Sequence, residues 1–359
     1  MPFYSQKVNK QIGLCDFQII KCIGQGGFSR VYLVQKKDNG QMYALKLIEK
    51  GFIIENKKEI VVQNERNIMI NILGLPFLLK VEFCFENKHF LGFIMEYCPG
   101  GELFYHLRKI KRMNEYMAKF YFVEICQGIQ FLHQKNIIYR DIKPENILLD
   151  IEGHICIGDF GLSKPNMDKN QFAYSFCGSP EYMAPEMLLK VGHSYPVDYY
   201  CLGALLYELV TGLPPYYSHN TNEIYQRILN EELEFPSNIQ ISSDLKDLLQ
   251  KLLSKHPFGR IGTIDGIKEI LNHNWFKNIN INSIIQKKIQ PPLKPNILGF
   301  NFDEEEFIKG EKQFKKKIID CLQNKYQKEF PFIFKQFYFD ASYKQNNMSS
   351  TPLLTKKQM

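Results

Sequence analysis

The sequence predicts an α+β protein of two lobes, the first rich in strands and the second rich in helices. In residues 17–97, apolar stretches alternate with glycine-rich turns, which is the pattern of antiparallel strands. In residues 102–276, longer segments carry apolar side chains at helical spacing. A Pro-Gly-Gly stretch at 99–101 separates the two patterns. We therefore expect a small β-rich N-lobe joined by a short hinge to a larger helical C-lobe.

The individual elements are predicted as follows. After a polar lead (1–16) come strands within 17–48, a helix at 57–73, a strand at 90–96, helices at 102–112 and 116–134, and further helices to about residue 276. From 277 to 345 the pattern weakens, and prolines at 291, 292 and 295 mark an extended segment. Residues 346–359 are expected to be disordered.

The composition excludes several classes of protein. A chain of 359 residues with 45% apolar and 23% charged residues can bury a sizeable core, so whole-chain disorder is excluded. The net charge of +7 is mild, and it fits anionic small ligands rather than dedicated nucleic-acid binding. The most apolar stretch, 199–210, is too short for membrane insertion and predicts a buried helix. Nine cysteines without a C-x-x-C pair predict reduced thiols in a cytoplasmic or nuclear protein, which we expect to be monomeric.

A glycine-rich stretch, GQGGFSRV at 24–31, lies between two predicted strands. Glycines let backbone N–H groups approach phosphates closely, although a hairpin without a ligand is the commoner meaning of such a stretch alone. A dinucleotide-binding motif would require a helix next, and the following residues indicate a strand. Lys46 then follows in another strand. It either extends to solvent from a sheet edge, or pairs with ATP phosphates and with Glu65 on the next helix.

The stretch YRDIKPEN at 139–146 is far more specific. Asp141 can orient a hydroxyl and take its proton, Lys143 can neutralise a phosphate, and the amide oxygen of Asn146 can hold Mg²⁺. A second metal-binding carboxylate, Asp159, follows in DFG, and APE follows at 184–186. This set, in this order and spacing, predicts phosphoryl transfer.

On these motifs the chain resembles the eukaryotic protein kinases and, within them, the AGC group, from residue 17 to about 343. The AGC likeness rests on Tyr139 where most kinases carry histidine, on FCGSPEYMAPE at 176–186, and on the tail sequences NFD at 301–303 and FKQFYF at 334–339. It is strongest to the kinases that phosphorylate ribosomal protein or act downstream of phosphoinositides. The length also resembles a free cyclic-AMP-dependent catalytic subunit, so the subfamily stays open.

The resemblance implies a bilobal kinase domain at 17–276, with an N-lobe at 17–97 and a C-lobe at 102–276. An AGC tail at 277–345 would wrap the N-lobe. ATP with Mg²⁺ would bind between the lobes, and the products would be proteins phosphorylated on serine or threonine.

Individual roles also follow from the resemblance. The implied nucleotide-binding residues are Ile23, Gly24, Gly26, Gly27, Val31, Ala44, Lys46, Glu96, Cys98 and Glu102, with Met95 as gatekeeper. The implied catalytic residues are Asp141, Lys143, Lys46 and Glu65, and the implied Mg²⁺ ligands are Asn146 and Asp159.

Supporting roles are implied for residues outside the catalytic set. Asp198 would hold the catalytic-loop backbone, and Glu186 would pair with Arg260. Ser175 would be phosphorylated by an upstream kinase, and its phosphate would pair with Arg140.

Three positions depart from the AGC pattern. Ser29 replaces the third loop glycine, Val61 replaces a histidine of the helix that carries Glu65, and Tyr338 replaces the usual phosphorylated Ser or Thr of the tail. The implied tail-motif residues are Phe302, Phe334 and Phe337, of which the last two would fill a groove beside that helix.

Four acidic residues match positions that line the peptide groove of AGC kinases selective for basic sites: Glu102, Glu145, Glu181 and Glu208. Together they favour substrates with Arg two and three residues before the phosphoacceptor, since a guanidinium can bond a carboxylate through two N–H groups. The plainer interpretation is that Glu102 caps a helix and Glu208 forms a buried ion pair.

Two other classes of protein fit the sequence less well. A pseudokinase scaffold usually lacks the equivalent of Lys46, Asp141 or Asp159, and all three are present. A lipid or small-molecule kinase generally lacks the APE platform and the AGC tail that support a peptide substrate.

Overall fold

The computed structural model describes residues 11–27, 29–168, 171–296, 301, 311–323, 330, 332, 334 and 337–342, with backbone alone at 311–313. Its strands are β1 (Phe17–Gln25), β2 (Ser29–Lys36), β3 (Met42–Glu49), β4 (Val81–Glu86), β5 (Phe90–Glu96), β6 (Gly101–Glu102), β7 (Ile147–Leu149), β8 (Ile155–Ile157) and β9 (Phe339–Asp340). Its α-helices are α1 (Lys50–Glu55), α2 (Glu59–Asn71), α3 (Leu103–Ile110), α4 (Glu115–Gln134), α5 (Pro185–Leu188), α6 (Pro196–Thr211), α7 (Thr221–Asn230), α8 (Ser243–Leu252), α9 (Ile267–Leu271), α10 (Ile281–Ile285) and α11 (Glu311–Leu322).

The chain divides into two compact units. The first combines the described residues up to Arg66 with Lys80–Tyr97 and the described tail residues from 311 onward, and the second comprises Asn67–Leu79 and the described residues from Cys98 to 301. The first unit is built on strands and the second mainly on helices, as the sequence predicts. The α+β class is therefore confirmed.

An antiparallel sheet forms the first unit, with its strands in the order β1-β2-β3-β5-β4-β9. Because side chains alternate across a strand, each row of paired residues faces one side of the sheet. The row containing Tyr32, Leu45 and Ile94 belongs to an apolar core that also includes Ile318 of α11. The neighbouring row, which contains Lys46, therefore faces the opposite side.

Helix α6 is the most apolar element of the second unit, and every residue from Val197 to Val210 is buried. Pro at its first position and Gly212 with φ +91° after its end delimit it, as expected for a helix start and a helix C-terminus. Helices α4 and α8 pack against it. The prediction of a buried helix at 199–210 is confirmed, and among the described residues no helix has the length and apolar character that crossing a membrane requires.

Several predicted elements are observed with shifted ends, since the helix expected at 57–73 is α2 and the one expected at 116–134 is α4. The predicted helix at 102–112 is α3, which begins one residue later because Glu102 pairs in β6. The sequence patterns missed α1, β4 and α11, which have six, six and twelve residues, and also the two- and three-residue strands β6 to β9. Elements of six residues are too short to show a periodicity clearly.

Candidate active site

The glycine-rich stretch forms the β1–β2 hairpin of the first unit. The N–H of Gly26 donates to the carbonyl of Ser29 at 3.0 Å. A Cβ on Gly26 would lie 2.6 Å from the Ser29 Oγ, so a larger residue would require the Ser29 side chain to move. Gly27, by contrast, has open space around it, and Phe28 lies outside the described residues. Ser29 thus adds a close contact within the loop where the AGC pattern has glycine.

The sheet register brings the expected nucleotide-binding residues of the first unit into adjacent rows. Gly24 pairs with Val31, and Val31 pairs with Lys46, so these three residues form one row across β1, β2 and β3. Ile23 lies at a shift in the β1 register. Ala44 pairs with Met95, the expected gatekeeper, whose side chain is buried.

Lys46 contacts Glu65 of α2, with 2.6 Å between Nζ and Oε1. Both side chains are largely buried, with 12% and 4% of their surface exposed. A buried ammonium needs a carboxylate partner, and this contact holds the ammonium on the Gly24–Val31–Lys46 side of the sheet. Lys46 therefore does not extend to solvent from a sheet edge.

In the second unit, four side chains meet at the catalytic-loop sequence. The Nδ2 of Asn146 donates to the Asp141 Oδ2 at 2.7 Å and to its backbone carbonyl at 2.8 Å. Lys143 Nζ lies 3.2 Å from the same carboxylate and donates to the Ser179 Oγ at 2.8 Å. The Ser179 hydroxyl in turn donates to Asp141 Oδ1 at 3.2 Å. The Asp141 carboxylate is thus oriented from three sides.

Asp198 holds the backbone of this loop. It accepts from the backbone N–H of Tyr139 at 2.9 Å and of Arg140 at 2.8 Å, as the resemblance implied. Arg140 has φ +70°, a conformation that a non-glycine residue keeps only when its surroundings impose it. His133 lies 2.7 Å from Asp198 through its Nε2. This buried carboxylate therefore stabilises the strained turn that presents Asp141.

The two expected metal ligands have oxygen donors suited to Mg²⁺. Because Asn146 uses its Nδ2 toward Asp141, its Oδ1 is the side-chain atom that can face a cation. Asp159 is exposed, has φ +45°, and accepts from the N–H of Gly161 at 3.3 Å. The N–H of Gly158 donates to the Asn146 carbonyl at 2.9 Å, which joins the two segments. The donor set fits Mg²⁺ chemically.

Tyr139 of the catalytic loop packs against Phe160, the residue after Asp159. The two rings meet edge to face at 5.8 Å, and both side chains are buried. The Tyr139 hydroxyl donates to the carbonyl of Gly158. The residue preceding Asp159 is thus attached to the catalytic loop.

The expected phosphosite, Ser175, is exposed, and its Oγ lies 3.4 Å from the Nη1 of Arg140. The same Nη1 lies 3.4 Å from the Nε2 of His193. Burial, and then the nearby Arg140, lower the pKa of His193 to about 4. The Ser175 hydroxyl therefore lies within reach of one permanent cation, Arg140, which also contacts the neutral imidazole of His193.

Glu186 and Arg260 form the expected ion pair, with N–O distances of 2.7 and 3.0 Å from the two guanidinium nitrogens. Arg260 also donates to the carbonyls of Ser254 and Pro196. Both partners are buried, so removal of either would leave an uncompensated charge in the interior.

Three of the four expected peptide-groove acids influence one another. Burial, with smaller contributions from the nearby Glu145 and Glu181, raises the pKa of Glu208 to about 7 although the Tyr182 hydrogen bond lowers it. Burial likewise raises the pKa of Glu145, and in the described part of the chain one of its buried carboxylate oxygens has no hydrogen-bond partner. Glu208 accepts a hydrogen bond from the Tyr182 hydroxyl, and among the described residues it forms no ion pair. Buried acids in this state would gain from a guanidinium partner.

Glu102, the fourth acid, is the last residue of β6 and precedes α3. Its side chain makes no capping hydrogen bond, so the capping interpretation is not supported. The β6 strand pairs with β7 and contacts the turn at Pro144–Asn146.

Cys98 and Glu96 are the remaining residues of the expected nucleotide-binding set. Cys98, three residues before β6, is buried. In the first unit, the Glu96 side chain accepts a hydrogen bond from the backbone N–H of Lys80 at 2.9 Å.

The described tail residues contact α2 and β4 within the first unit. Phe337 is buried, meets Phe93 edge to face at 5.5 Å, and contacts Phe334 at 5.3 Å. Arg66 donates to the carbonyls of Phe337 at 2.9 Å and Tyr338 at 3.0 Å. β9 then pairs with the edge of β4. Phe302 lies outside the described residues.

Sequence reasoning missed four residues that the structure brings to this machinery, namely Arg66, His133, Ser179 and His193. Only Ser179 had a signal, since it lies within the FCGSPEYMAPE stretch. The other three act through contacts with residues far away in the chain, which no local pattern reports.

The first unit carries the buried Lys46–Glu65 pair beside a glycine-rich hairpin, and the second carries the oriented Asp141 carboxylate. These are chemical groups that a phosphotransferase uses, and comparison with known sequences agrees. A family model described as protein kinase domain matches residues 17–276. The chain belongs to the protein kinase family.

Three relatives of the chain indicate which kind of protein kinase it is. Serine/threonine-protein kinase Sgk1 of Xenopus tropicalis is 45% identical over 284 residues, which cover 79% of this chain and 68% of that protein. The Gallus gallus protein of the same name is 45% identical over 284 residues, which cover 79% of this chain and 65% of that protein. The Homo sapiens protein is 45% identical over 294 residues, or 81% and 68%. The chain thus spans about two thirds of the length of these relatives, and it is a serine/threonine-protein kinase of the AGC group.

Proposed function

We propose that the protein uses ATP and Mg²⁺ to phosphorylate serine or threonine at sites with upstream arginine. The observation that carries this proposal is the Asp141 carboxylate, which Asn146, Lys143 and Ser179 orient in one geometry. A carboxylate held in this way can align a substrate hydroxyl and accept its proton.

Other residues would stabilise charge. Lys143 and Lys46 are ammonium groups already held by carboxylates, and both would act on phosphate oxygens. Bound Mg²⁺ would neutralise charge on the phosphates, and Asn146 and Asp159 would hold it. Rate acceleration would come from positioning and electrostatics, since no side chain needs to form a covalent intermediate.

The preference for arginine rests on the acidic cluster of Glu145, Glu181 and Glu208. Burial makes the ionised carboxylates of Glu145 and Glu208 unfavourable, and nearby like charge adds to this. A peptide guanidinium would supply a cation with a matching fork geometry. We expect selection for Arg two and three residues before the phosphoacceptor, with Glu102 contributing.

Regulation would act through two contacts. An upstream kinase would phosphorylate the exposed Ser175, and the phosphate would draw Arg140 and order the loop. The tail motif would stabilise α2 through Arg66, the neighbour of Glu65. A monomeric protein in the cytoplasm or nucleus is part of this proposal; no disulfide forms among the described residues.

A positional peptide library with radiolabelled ATP and the purified protein tests the proposal. We expect transfer that requires Mg²⁺ and selects Arg before serine or threonine, and that disappears in Asp141→Asn. A lipid acceptor and a reaction without acceptor serve as controls. Transfer to the lipid but not to peptides would refute protein-kinase activity, and a preference for acidic or proline-directed peptides would refute only the arginine selection.

A further inference from the structure

Helix α11, in the C-terminal part of the chain beyond the matched kinase domain, packs on the sheet of the first unit. Its residues Phe314, Ile318 and Cys321 share one face at helical spacing and contact the apolar core on the Tyr32 side of the sheet. Ile318 is only 1% exposed. On its other face, Ile319 and Leu322 are exposed. The helix is therefore seated by its apolar face against one side of the sheet.

An ion pair reinforces this position. The Lys317 Nζ lies 2.8 Å from both carboxylate oxygens of Glu49, at the end of β3. Residues 284–341 contain no serine or threonine, so the stretch that includes α11 has no phosphorylation site of those types. Helix α11 is thus held by packing and one ion pair that are present without modification.

Phe314 connects this helix to the glycine-rich loop. Its ring stacks near Tyr32 at 6.4 Å and contacts Phe90 at 5.6 Å. The guanidinium carbon of Arg30 lies 5.5 Å from the same ring centroid, within the range of a cation–π contact. The aromatic neighbours hold the ring in place, so the ring can in turn hold the guanidinium.

Arg30 hydrogen-bonds the backbone of the glycine-rich loop. Its Nη1 donates to the carbonyls of Gly26 at 3.2 Å and Ser29 at 3.0 Å, and these two residues are also joined by their own backbone hydrogen bond. A guanidinium that bonds two loop carbonyls lowers the conformational freedom of a glycine-containing turn, which would otherwise be high.

We propose that Phe314 and Arg30 are positioning residues for the nucleotide: α11 holds the Arg30 guanidinium, and Arg30 holds the glycine-rich loop in the conformation that receives phosphates. This inference rests on the proposed use of ATP. A loop ordered in advance loses less conformational entropy when it binds, so the contact strengthens nucleotide binding and leaves the chemical step unchanged.

The test uses full-length protein with Phe314→Leu, which keeps apolar volume and removes the ring, and Arg30→Lys, which keeps the charge and removes the fork. Ile319→Ala, on the exposed face of the same helix, is the matched control. We expect either test variant to raise the KM for ATP about three- to tenfold, the size of a partly exposed cation–π contact. The values of kcat and peptide KM should change less than about twofold, because the chemical step and the peptide groove are untouched.

A double variant tests whether the two residues act through one contact. Phe314→Leu with Arg30→Lys should raise the ATP KM no further than the larger single effect, because the second substitution removes a contact already lost. Multiplying effects, or an unchanged ATP KM in Phe314→Leu, would overturn the inference.

Hydrogen exchange of the 24–31 amides without nucleotide separates this inference from the proposed function. Exchange should accelerate in both test variants and not in Ile319→Ala, because the anchor acts before ATP binds. Unchanged exchange would overturn the proposed role of Phe314 and Arg30 even if the protein is an active kinase. Failure of the wild-type protein to transfer phosphate from ATP would refute the proposed function, while the exchange result would still report on the anchor.

Discussion

Replacing Glu208 with glutamine should remove a pH-dependent loss of stability from the second unit. Glu208 is 5% exposed and accepts a hydrogen bond from the Tyr182 hydroxyl. Burial, and to a smaller extent Glu145 and Glu181, raise its pKa from 4.5 to about 7. Glutamine keeps an oxygen that can accept the Tyr182 hydrogen bond, but it carries no charge at any pH.

The magnitude follows from the difference between the two pKa values. Because the folded protein binds this proton more tightly than the unfolded chain, its stabilising effect is complete below pH 4.5 and is lost as the pH rises through 7. The whole loss is about 3 kcal/mol, of which about 1.3 kcal/mol falls between pH 6 and pH 8. Over that interval, wild type should lose about 1.3 kcal/mol of unfolding free energy relative to Glu208→Gln.

Urea denaturation of both proteins at pH 6, 7 and 8 measures this difference. Glu232→Gln, which removes an exposed carboxylate, is the control for the loss of one negative charge. Groups remote from Glu208 titrate alike in the two proteins and cancel in the comparison, and the coupling to Glu145 and Glu181 belongs to the Glu208 effect. A difference between wild type and Glu208→Gln that stays constant from pH 6 to pH 8 would refute the reasoning.

The same group links substrate binding to pH. A peptide arginine binds the ionised carboxylate, so wild type should show about a tenfold fall in the KM for an Arg-Arg-x-Ser peptide between pH 6 and pH 8. The peptide KM of Glu208→Gln should not fall over this pH range. The KM of wild type for a peptide with alanine in place of both arginines should not fall either. Equal pH dependence in all three cases would show that Glu208 does not contact the peptide.

Three further predictions concern catalysis, activation and the tail. Asp141→Asn should lower kcat by about 10²- to 10⁴-fold with ATP affinity nearly unchanged, which calorimetry and turnover assays together measure. Ser175→Ala should abolish activation by an upstream kinase, because Arg140 then has no phosphate to bind; intact-mass analysis with kinetics tests this, and full activity in the variant would contradict it. Phe337→Ala should lower unfolding free energy by about 3–5 kcal/mol and reduce kcat by loosening α2 beside Arg66, whereas alanine at the exposed Phe332 should do neither.

The fold class and the central chemistry could be predicted from sequence because they depend on short-range patterns. Asp141, Lys143 and Asn146 lie within six residues, so a single turn brings them together. Alternating apolar residues predicted strands such as β5, and helical spacing predicted α4, because each element buries one repeating face.

Other parts of the site were decided by tertiary packing alone. The hydrogen bond between Ser179 and Asp141 joins residues 38 positions apart in the sequence. The hydrogen bond between Asp198 and Arg140 spans 58 positions, and the one between Arg66 and Phe337 spans 271. Helix α11 carries Phe314, Ile318 and Cys321 at helical spacing, so its sequence indicates a helix, but its place on the sheet was decided by packing against strands more than 200 residues earlier. The sequence by itself therefore determined which chemical groups the protein carries and the local turns that present them. Only the tertiary structure decided which distant residues hold those groups in place, because contacts between remote segments arise from complementary packing that no local pattern encodes.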